Sequence, residues 1–251
     1  MAEERQFGGI ARLYGEQGAH RIASAHLAII GVGGVGSWAV EALVRSGVGK
    51  LTLVDMDHVA ASNINRQLPA LQDTLGRLKA EVLAERASQI NPQVEVNVVD
   101  AFVDLQNLSN LIVEDFDWVL DCVDSFRIKA AMIAHCRRRK QSIITAGAAG
   151  GQIDATRVRV SDLRKTEQDA LLARTRRLLR QEYGYPSNPK RAFGVPAVWS
   201  DEPVRESRGC EAQQDTSLNC AGYGACMPVT ATFGLAAAGH VLASLAEGKS
   251  T

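Results

Sequence analysis

The sequence predicts an α/β fold in which a doubly wound, mainly parallel sheet is followed by an irregular, mixed-strand C-terminal extension. Three observations carry this expectation. Short apolar runs alternate with stretches of helical periodicity, as they do where parallel strands are buried on both faces. A glycine cluster, Gly31 to Gly36, falls between the first such run and the first helical stretch. With 251 residues, 46% of them hydrophobic and 22% charged, the chain can bury a full core and reads as one domain over 1–251.

The elements follow in order. An N-terminal arm at 7–21 carries Arg12-Leu13-Tyr14-Gly15 and apolar positions at helical spacing. Residues 27–30 are continuously apolar and form the first buried strand. A helix over 36–46 is stopped by Gly47, and a second strand at 51–54 ends on Asp55. A helix rich in Ala, Leu and Glu spans about 78–90 and stops at Asn91-Pro92. Residues 94–99 alternate as a third strand, and 118–120 form a fourth that ends at Asp121. A helix over 127–140 and a fifth strand at 142–145 complete the regular core, which closes on a glycine-rich turn at 146–151. The rhythm then changes to an alternating strand at 153–160, a charged helix at 166–182 and a loop at 183–189 marked by Pro and Gly. From there to 221 a long irregular segment is expected, of the kind that carries function.

Residues 228–246 contain no Asp, Glu, Lys or Arg and are nearly long enough to span a bilayer. Their content of Ala, Gly, Thr and Ser, with His240 among them, points instead to a buried or dimer-interface helix without stable membrane insertion. Basic and acidic residues number 28 each, so overall charge does not point to nucleic acid and only a local basic patch would. Five cysteines, Cys122, Cys136, Cys210, Cys220 and Cys226, form no C-x-x-C pair. With no signal-peptide pattern, free thiols in a cytoplasmic protein are expected.

The chemistry concentrates between Gly31 and Asp124. Gly31, Gly33, Gly34 and Gly36 stand where a Rossmann-like nucleotide loop should, because glycines admit phosphate close to the backbone and a helix N-terminus offers free amides. Asp55, at the end of the next strand, is placed to accept hydrogen bonds from a ribose. That much fits NAD as well as ATP. The chain then continues with Asp57, Asn63, Asn65, Arg66 and Gln67, and with Lys79 opening the next helix. Two cations there suit a triphosphate under attack at its α-phosphorus. Asp121-Cys122-Val123-Asp124 brings carboxylates to the same sheet edge, and Asp124 suits a magnesium ion bridging phosphate oxygens.

The segments GVGGVG, LVDMDHVAASNINRQ, GRLKAE and VLDCVDS together resemble the ubiquitin-activating-enzyme superfamily of ThiF, HesA and MoeB type, whose simplest members adenylate carboxylates. The resemblance implies ATP and Mg2+ as cofactors, with Asp55 at the ribose, Asn63, Arg66 and Lys79 at the phosphates, and Asp124 at the metal. Gly31, Gly33, Gly34, Gly36, Asp57 and Gln67 complete the implied nucleotide site, and Arg66, Lys79, Asp124 and Arg12 are its implied catalytic residues. Arg12 resembles an arginine that such homodimers donate into the partner's site. Ser125 stands where many relatives have Asn and is given no role.

The acceptor follows from the rest of the chain. Members that activate ubiquitin-like sulfur carriers bear two zinc-binding C-x-x-C pairs, which the spacings of Cys210, Cys220 and Cys226 do not match. Full ubiquitin-activating enzymes need further domains. FGGIARLYGEQG, the helix after Asp162-Leu163 and PVTATFGLAAAGHVL resemble instead the branch that dehydrates threonylcarbamoyladenosine beside the anticodon of tRNA. Residues 1–151 are then an ATP-binding core and 152–251 an acceptor-binding and dimerisation extension. The implied partners are that tRNA, a second copy of the chain and a sulfur-relay protein. The basic runs Arg137 to Lys140 and Arg174, Arg176, Arg177, Arg180, Lys190 and Arg191 are candidate phosphate contacts, with Tyr183, Tyr185 and Phe193 beside them as candidates to stack a base. The alternative is adenylation of the C-terminal glycine of a sulfur carrier. A scaffold without turnover is a third reading, and Arg66 with Lys79 argues against a dehydrogenase.

Overall fold

A computed structural model describes residues 6–113, 115–188, 190–205 and 223–248. Helix α1 (Gly8–Ser24) is interrupted at Gly15, whose φ of 76° takes it out of the helical region. There follow β1 (His26–Ile30), α2 (Gly36–Arg45), β2 (Lys50–Val54), α3 (Lys79–Ile90), β3 (Glu95–Val99), the single turn α4 (Leu108–Leu111), β4 (Trp118–Asp121), α5 (Phe126–Arg138) and β5 (Ser142–Ala146). The second half supplies β6 (Val158–Asp162), α6 (Ala170–Glu182), β7 (Pro196–Ser200) and α7 (Met227–Glu247).

The strands form a seven-stranded sheet in the order β3-β2-β1-β4-β5-β7-β6. All neighbours are parallel except β6, which runs antiparallel to β7. Chain order runs outward from β1 in one direction and from β4 in the other, so the winding reverses between them. A crevice opens there beyond the carboxyl ends of the strands.

Alternation along each strand divides the core. Leu27 and Ile29 of β1 join Leu51 and Leu53 of β2 against Leu43 of α2, Leu83 of α3 and Phe233 of α7. Ala28 and Ile30 face the other way, with Val119, toward Ile133 of α5 and Leu172 of α6.

Helix α7 is long and apolar enough to cross a membrane, yet 56% of its apolar window is buried within the protein. It lies against α2 so closely that a Cβ on Gly234 would come 2.3 Å from the Val35 carbonyl oxygen and 2.9 Å from the Ala39 nitrogen. Near its other end, Ala246 meets Gly18 of α1. Its apolar composition is thus that of a core helix.

Three boundaries differ from expectation. The strand expected at 153–160 begins only at Val158, because the Asp154 carboxylate accepts the Thr156 N–H and hydroxyl and closes a 3-10 turn at Ala155–Arg157. The charged helix starts at Ala170 and not at 166, because Asp169 caps it by accepting the Leu172 N–H at 2.9 Å. The segment expected to be irregular up to 221 contains β7, which fits between β5 and β6. Its leading Pro196 concealed it, although proline is compatible with the first residue of a strand. Residues 206–221 of that segment, with Cys210 and Cys220, lie outside the described residues.

Gly234→Val is expected to destabilise the protein by about 1–3 kcal/mol or more through overpacking. Gly239→Ala on the same helix, where an added Cβ meets nothing within 4 Å, should cost nothing. Urea denaturation of both variants checks the close approach, and an unaffected Gly234→Val would disprove it.

Candidate active site

The crevice between β1 and β4 becomes a site through two glycine constraints. Gly31 leaves β1 with φ +84°, and a Cβ there would sit 3.1 Å from the Cys122 carbonyl oxygen. A Cβ on Gly36 would approach the Gly31 oxygen to 2.0 Å, so only glycine lets α2 begin beneath the loop. Gly36 is therefore a packing residue, whereas Gly31, Gly33 and Gly34 line a cavity of about 380 Å³. That size lies within the range of small-molecule sites, roughly 300–1,000 Å³.

Asp55 ties the two first loops together. One of its carboxylate oxygens accepts the Val32 N–H at 2.7 Å and the other the Asp57 N–H at 2.8 Å. Burial pushes its carboxyl above the usual range, while the two backbone donors pull it back. The side chain still lines the cavity.

The loop beyond β2 is internally braced. The Asn63 side-chain oxygen accepts the Ala60 N–H at 3.0 Å, closing a turn at Ala61–Asn63. Arg66 donates to the Ser62 carbonyl at 2.8 Å and the Asn65 side-chain oxygen at 2.9 Å, while Trp38 donates to its backbone carbonyl. Asn65 in turn donates to the Ala225 carbonyl at 2.8 Å, across a separation of 160 residues. Lys79, 4% exposed, meets the half-exposed Asp57 carboxylate at 2.8 Å. Gln67 is buried, and its side-chain oxygen has no hydrogen-bond partner among the described residues, leaving an unmet acceptor in the wall.

Asp55, Asp57, Asn63, Arg66, Gln67, Lys79 and Asp124 all line this one cavity. Asp124 presents an exposed carboxylate at its edge, and no group of three or more metal-binding side chains occurs among the described residues. One carboxylate with substrate phosphates is an arrangement magnesium accepts, since it keeps much of its water. Asp121 does not join Asp124 at the edge. It is fully buried, receiving Lys129 Nζ at 2.9 Å and the Thr145 hydroxyl at 2.6 Å. Arg12 is exposed on α1 and is not among the residues lining the cavity. Phe193 is 3% exposed and packed in the core, so its ring is closed to a base, contrary to expectation.

Sequence reasoning missed several contributors. Lys129 reads as one cation of a helix, yet it is 0% exposed beneath the site. Asp169 reaches back from α6 to accept the Ala148 N–H at 2.9 Å, and a Cβ on Gly147 would strike its carboxylate at 1.9 Å. The Asp that precedes a helical stretch was the available signal, since such residues cap. Gly150, Leu171, Ala225 and Thr230 bring the second half of the chain into the same cavity. Cys122 also lines it, but burial pushes its thiol up to about 12, so it holds little thiolate near neutrality.

A glycine loop, two cations and an edge carboxylate around one cavity are groups suited to a polyanion. The sequence profile of the ThiF family matches residues 4–251. A tRNA threonylcarbamoyladenosine dehydratase of Haemophilus influenzae is 47% identical over 251 residues, covering 98% of this chain and 95% of that protein. The crystal structure of the Escherichia coli dehydratase in complex with ATP superposes with a TM-score of 0.89 at 46% identity, over 98% of this chain and 96% of that one. The same enzyme has been solved with AMP. A molybdopterin-synthase adenylyltransferase of E. coli is 34% identical over 139 residues, 55% of this chain.

Two outcomes are expected. Lys129→Met strands the Asp121 charge and should cost about 3–5 kcal/mol, most of it recovered in the Asp121→Asn/Lys129→Met double variant. Equal stabilities of the two would refute the pairing. Burial raises the Asp169 carboxyl above its unfolded value, so the folded state binds its proton more tightly. The stability of wild type relative to Asp169→Asn should therefore be greatest below the unfolded carboxylate range and fall as pH rises through the raised value. Denaturation of both proteins across that window measures the slope, and a flat difference would contradict it.

Proposed function

The chain belongs to the ThiF family, and from that premise we propose that it uses ATP to dehydrate threonylcarbamoyladenosine in tRNA beside the anticodon. The observation that carries this reading is the convergence of Arg66, Lys79 and the glycine loop on one cavity, in a chain whose fold matches an ATP-bound dehydratase over nearly its whole length.

The roles follow from position. Amides of the glycine loop and the start of α2 hold phosphates, and Asp55 meets the ribose. An oxygen of the threonine carboxylate attacks the α-phosphorus, and the bond to pyrophosphate breaks. Arg66 and Lys79 offset the charge that builds there, with Asn63 and Gln67 shaping the loop beside them. Asp57 aligns Lys79 through their ion pair. Asp124 would hold Mg2+, which when bound neutralises phosphate oxygens. A nucleophilic atom of the neighbouring carbamoyl group then attacks the activated carbonyl carbon, and AMP leaves as the ring closes. The nucleophile belongs to the substrate, so positioning and exclusion of water suffice. The desolvated Cys122 thiol agrees with a route that uses no enzyme cysteine.

Residues 1–151 serve as the ATP-binding core and 152–251 as the acceptor-binding and dimerisation extension of one adenylation domain. In a homodimer, the exposed Arg12 enters the partner's ATP site. A sulfur-relay protein is a further partner, and the setting is cytoplasmic, as for tRNA modification in bacterial relatives.

Arg66→Ala and Lys79→Ala should each lower adenylation by about 10²–10³-fold, the scale of removing one donor to a developing charge. Tm should stay near the wild-type value. Pyrophosphate release with threonylcarbamoyladenosine-containing tRNA measures the effect. Near-normal rates in both variants would overturn the site assignment, and release driven by a sulfur-carrier protein would replace the acceptor.

A further inference from the structure

Several arginines of this protein are held in ion pairs. Arg45 and Arg86 pair with Glu41, Arg77 with Glu85, and Arg157 and Arg159 with Asp201. On α5 and α6, by contrast, Arg127, Arg138, Arg174, Arg177 and Arg180 form no ion pair among the described residues, nor does Arg191 beyond them. In a chain whose charges sum to zero, unpaired cations gathered on one face mark an anion-binding surface.

Both helices start at the candidate active site. Ser125, just before α5, lines the cavity, and Asp169, just before α6, holds the Ala148 N–H at its wall. The partly exposed Phe126 ring, next to Ser125, has the guanidinium groups of Arg127 and Arg174 at 5.8 and 5.9 Å from its centroid. Arg127 and Arg138 lie about three turns apart on α5, with the buried Ala131 and Ala134 between them on the same stripe. Arg174 and Arg177 follow α6 in the same direction. The far ends of the two helices share a second cavity of about 650 Å³, lined by Arg137, Arg138, Tyr183, Tyr185 and Arg191, with Glu182 as its acid. Behind it Arg180 lies 5.2 Å over the Phe193 ring, and its Nε is buried without a hydrogen-bond partner. Burial, and then the neighbouring Arg180, depress the Arg176 guanidinium, with Asp169 and Glu167 opposing them.

We propose that the α5–α6 face is the RNA-docking surface, in which the Phe126 ring and its two arginines receive a base or phosphate at the mouth of the ATP cavity and the distal cavity, about 20 Å away, holds backbone phosphates through Arg138 and Arg191. This rests on the dehydratase reading above. Arginine planes beside aromatic rings are the usual means of gripping single-stranded RNA, and phosphate contacts set its register. An acidic protein would need the charges but not the flanked ring at the reaction centre.

The test uses the full chain and fluorescently labelled threonylcarbamoyladenosine-containing tRNA. Arg138 and Arg191 are exposed, so Arg138→Gln/Arg191→Gln should fold normally, with Arg45→Gln as a control for charge alone. The double variant should bind tRNA about ten-fold or more weakly at low salt and lose roughly 1–2 from the slope of log affinity against log salt. KM for tRNA should rise with kcat retained at saturation, while ATP affinity stays at the wild-type value. Wild-type tRNA affinity and slope in the double variant, or an equal loss in Arg45→Gln, would overturn the surface while the dehydratase reading stands. Loss of ATP affinity as well would overturn it by showing that the effect is not local. Absence of tRNA-dependent pyrophosphate release in the wild type would remove the reading and the surface with it.

Discussion

A carboxylate that leaves water loses several kcal/mol of hydration unless donors replace it, and this chain buries such groups repeatedly along one edge of its sheet. Asp55 accepts N–H groups from the loops after β1 and β2. Asp121 joins β4 to Thr145 of β5 and to Lys129 of α5. Asp169 joins the turn after β5 to the start of α6. Glu202, 4% exposed, accepts the Ile153 and Asp154 N–H groups. Loops at the carboxyl ends of parallel strands expose amides with no ladder partner, and these acceptors satisfy some of them. The loop amides they leave unclaimed are the ones open to a phosphate.

The first half of the site was legible because its constraints are local. Gly31 must turn with positive φ, Gly36 must pass under the Gly31 oxygen, and both needs are met by residue type at fixed spacing. Asn63, Arg66 and Lys79 lie within one loop and helix start, so their convergence follows from strand order. Lys129 and Asp169 depend on which helix crosses which strand, a property no local pattern encodes. β7 was hidden for a related reason. A five-residue strand led by proline acquires its identity only when β5 and β6 flank it. Phe193 erred in the other direction, since aromatic residues beside arginines read as a binding face but here close a core.

Net charge also misleads when read as a sum. Some of the acidic and basic groups cancel in ion pairs on α2, α3 and the β6–β7 corner. On α5 and α6, which start where the chemistry is placed, several arginines form no ion pair among the described residues. A neutral protein can thus present a steering field to a polyanion while keeping its other faces indifferent to it.

The hydrogen bond from Asn65 to the Ala225 carbonyl links residues 160 apart, and it has a consequence for the order of assembly. The cation loop is completed against the segment that leads into α7, which also covers α1 and α2. Contacts of such long sequence separation form late, after many shorter loops have closed. During synthesis the glycine loop and the first five strands emerge well before that helix and wait with an apolar face uncovered. Completion of the cavity wall therefore waits for Ala225 and Thr230 to be synthesised, and a nascent chain halted before α7 would expose the apolar face that this helix covers.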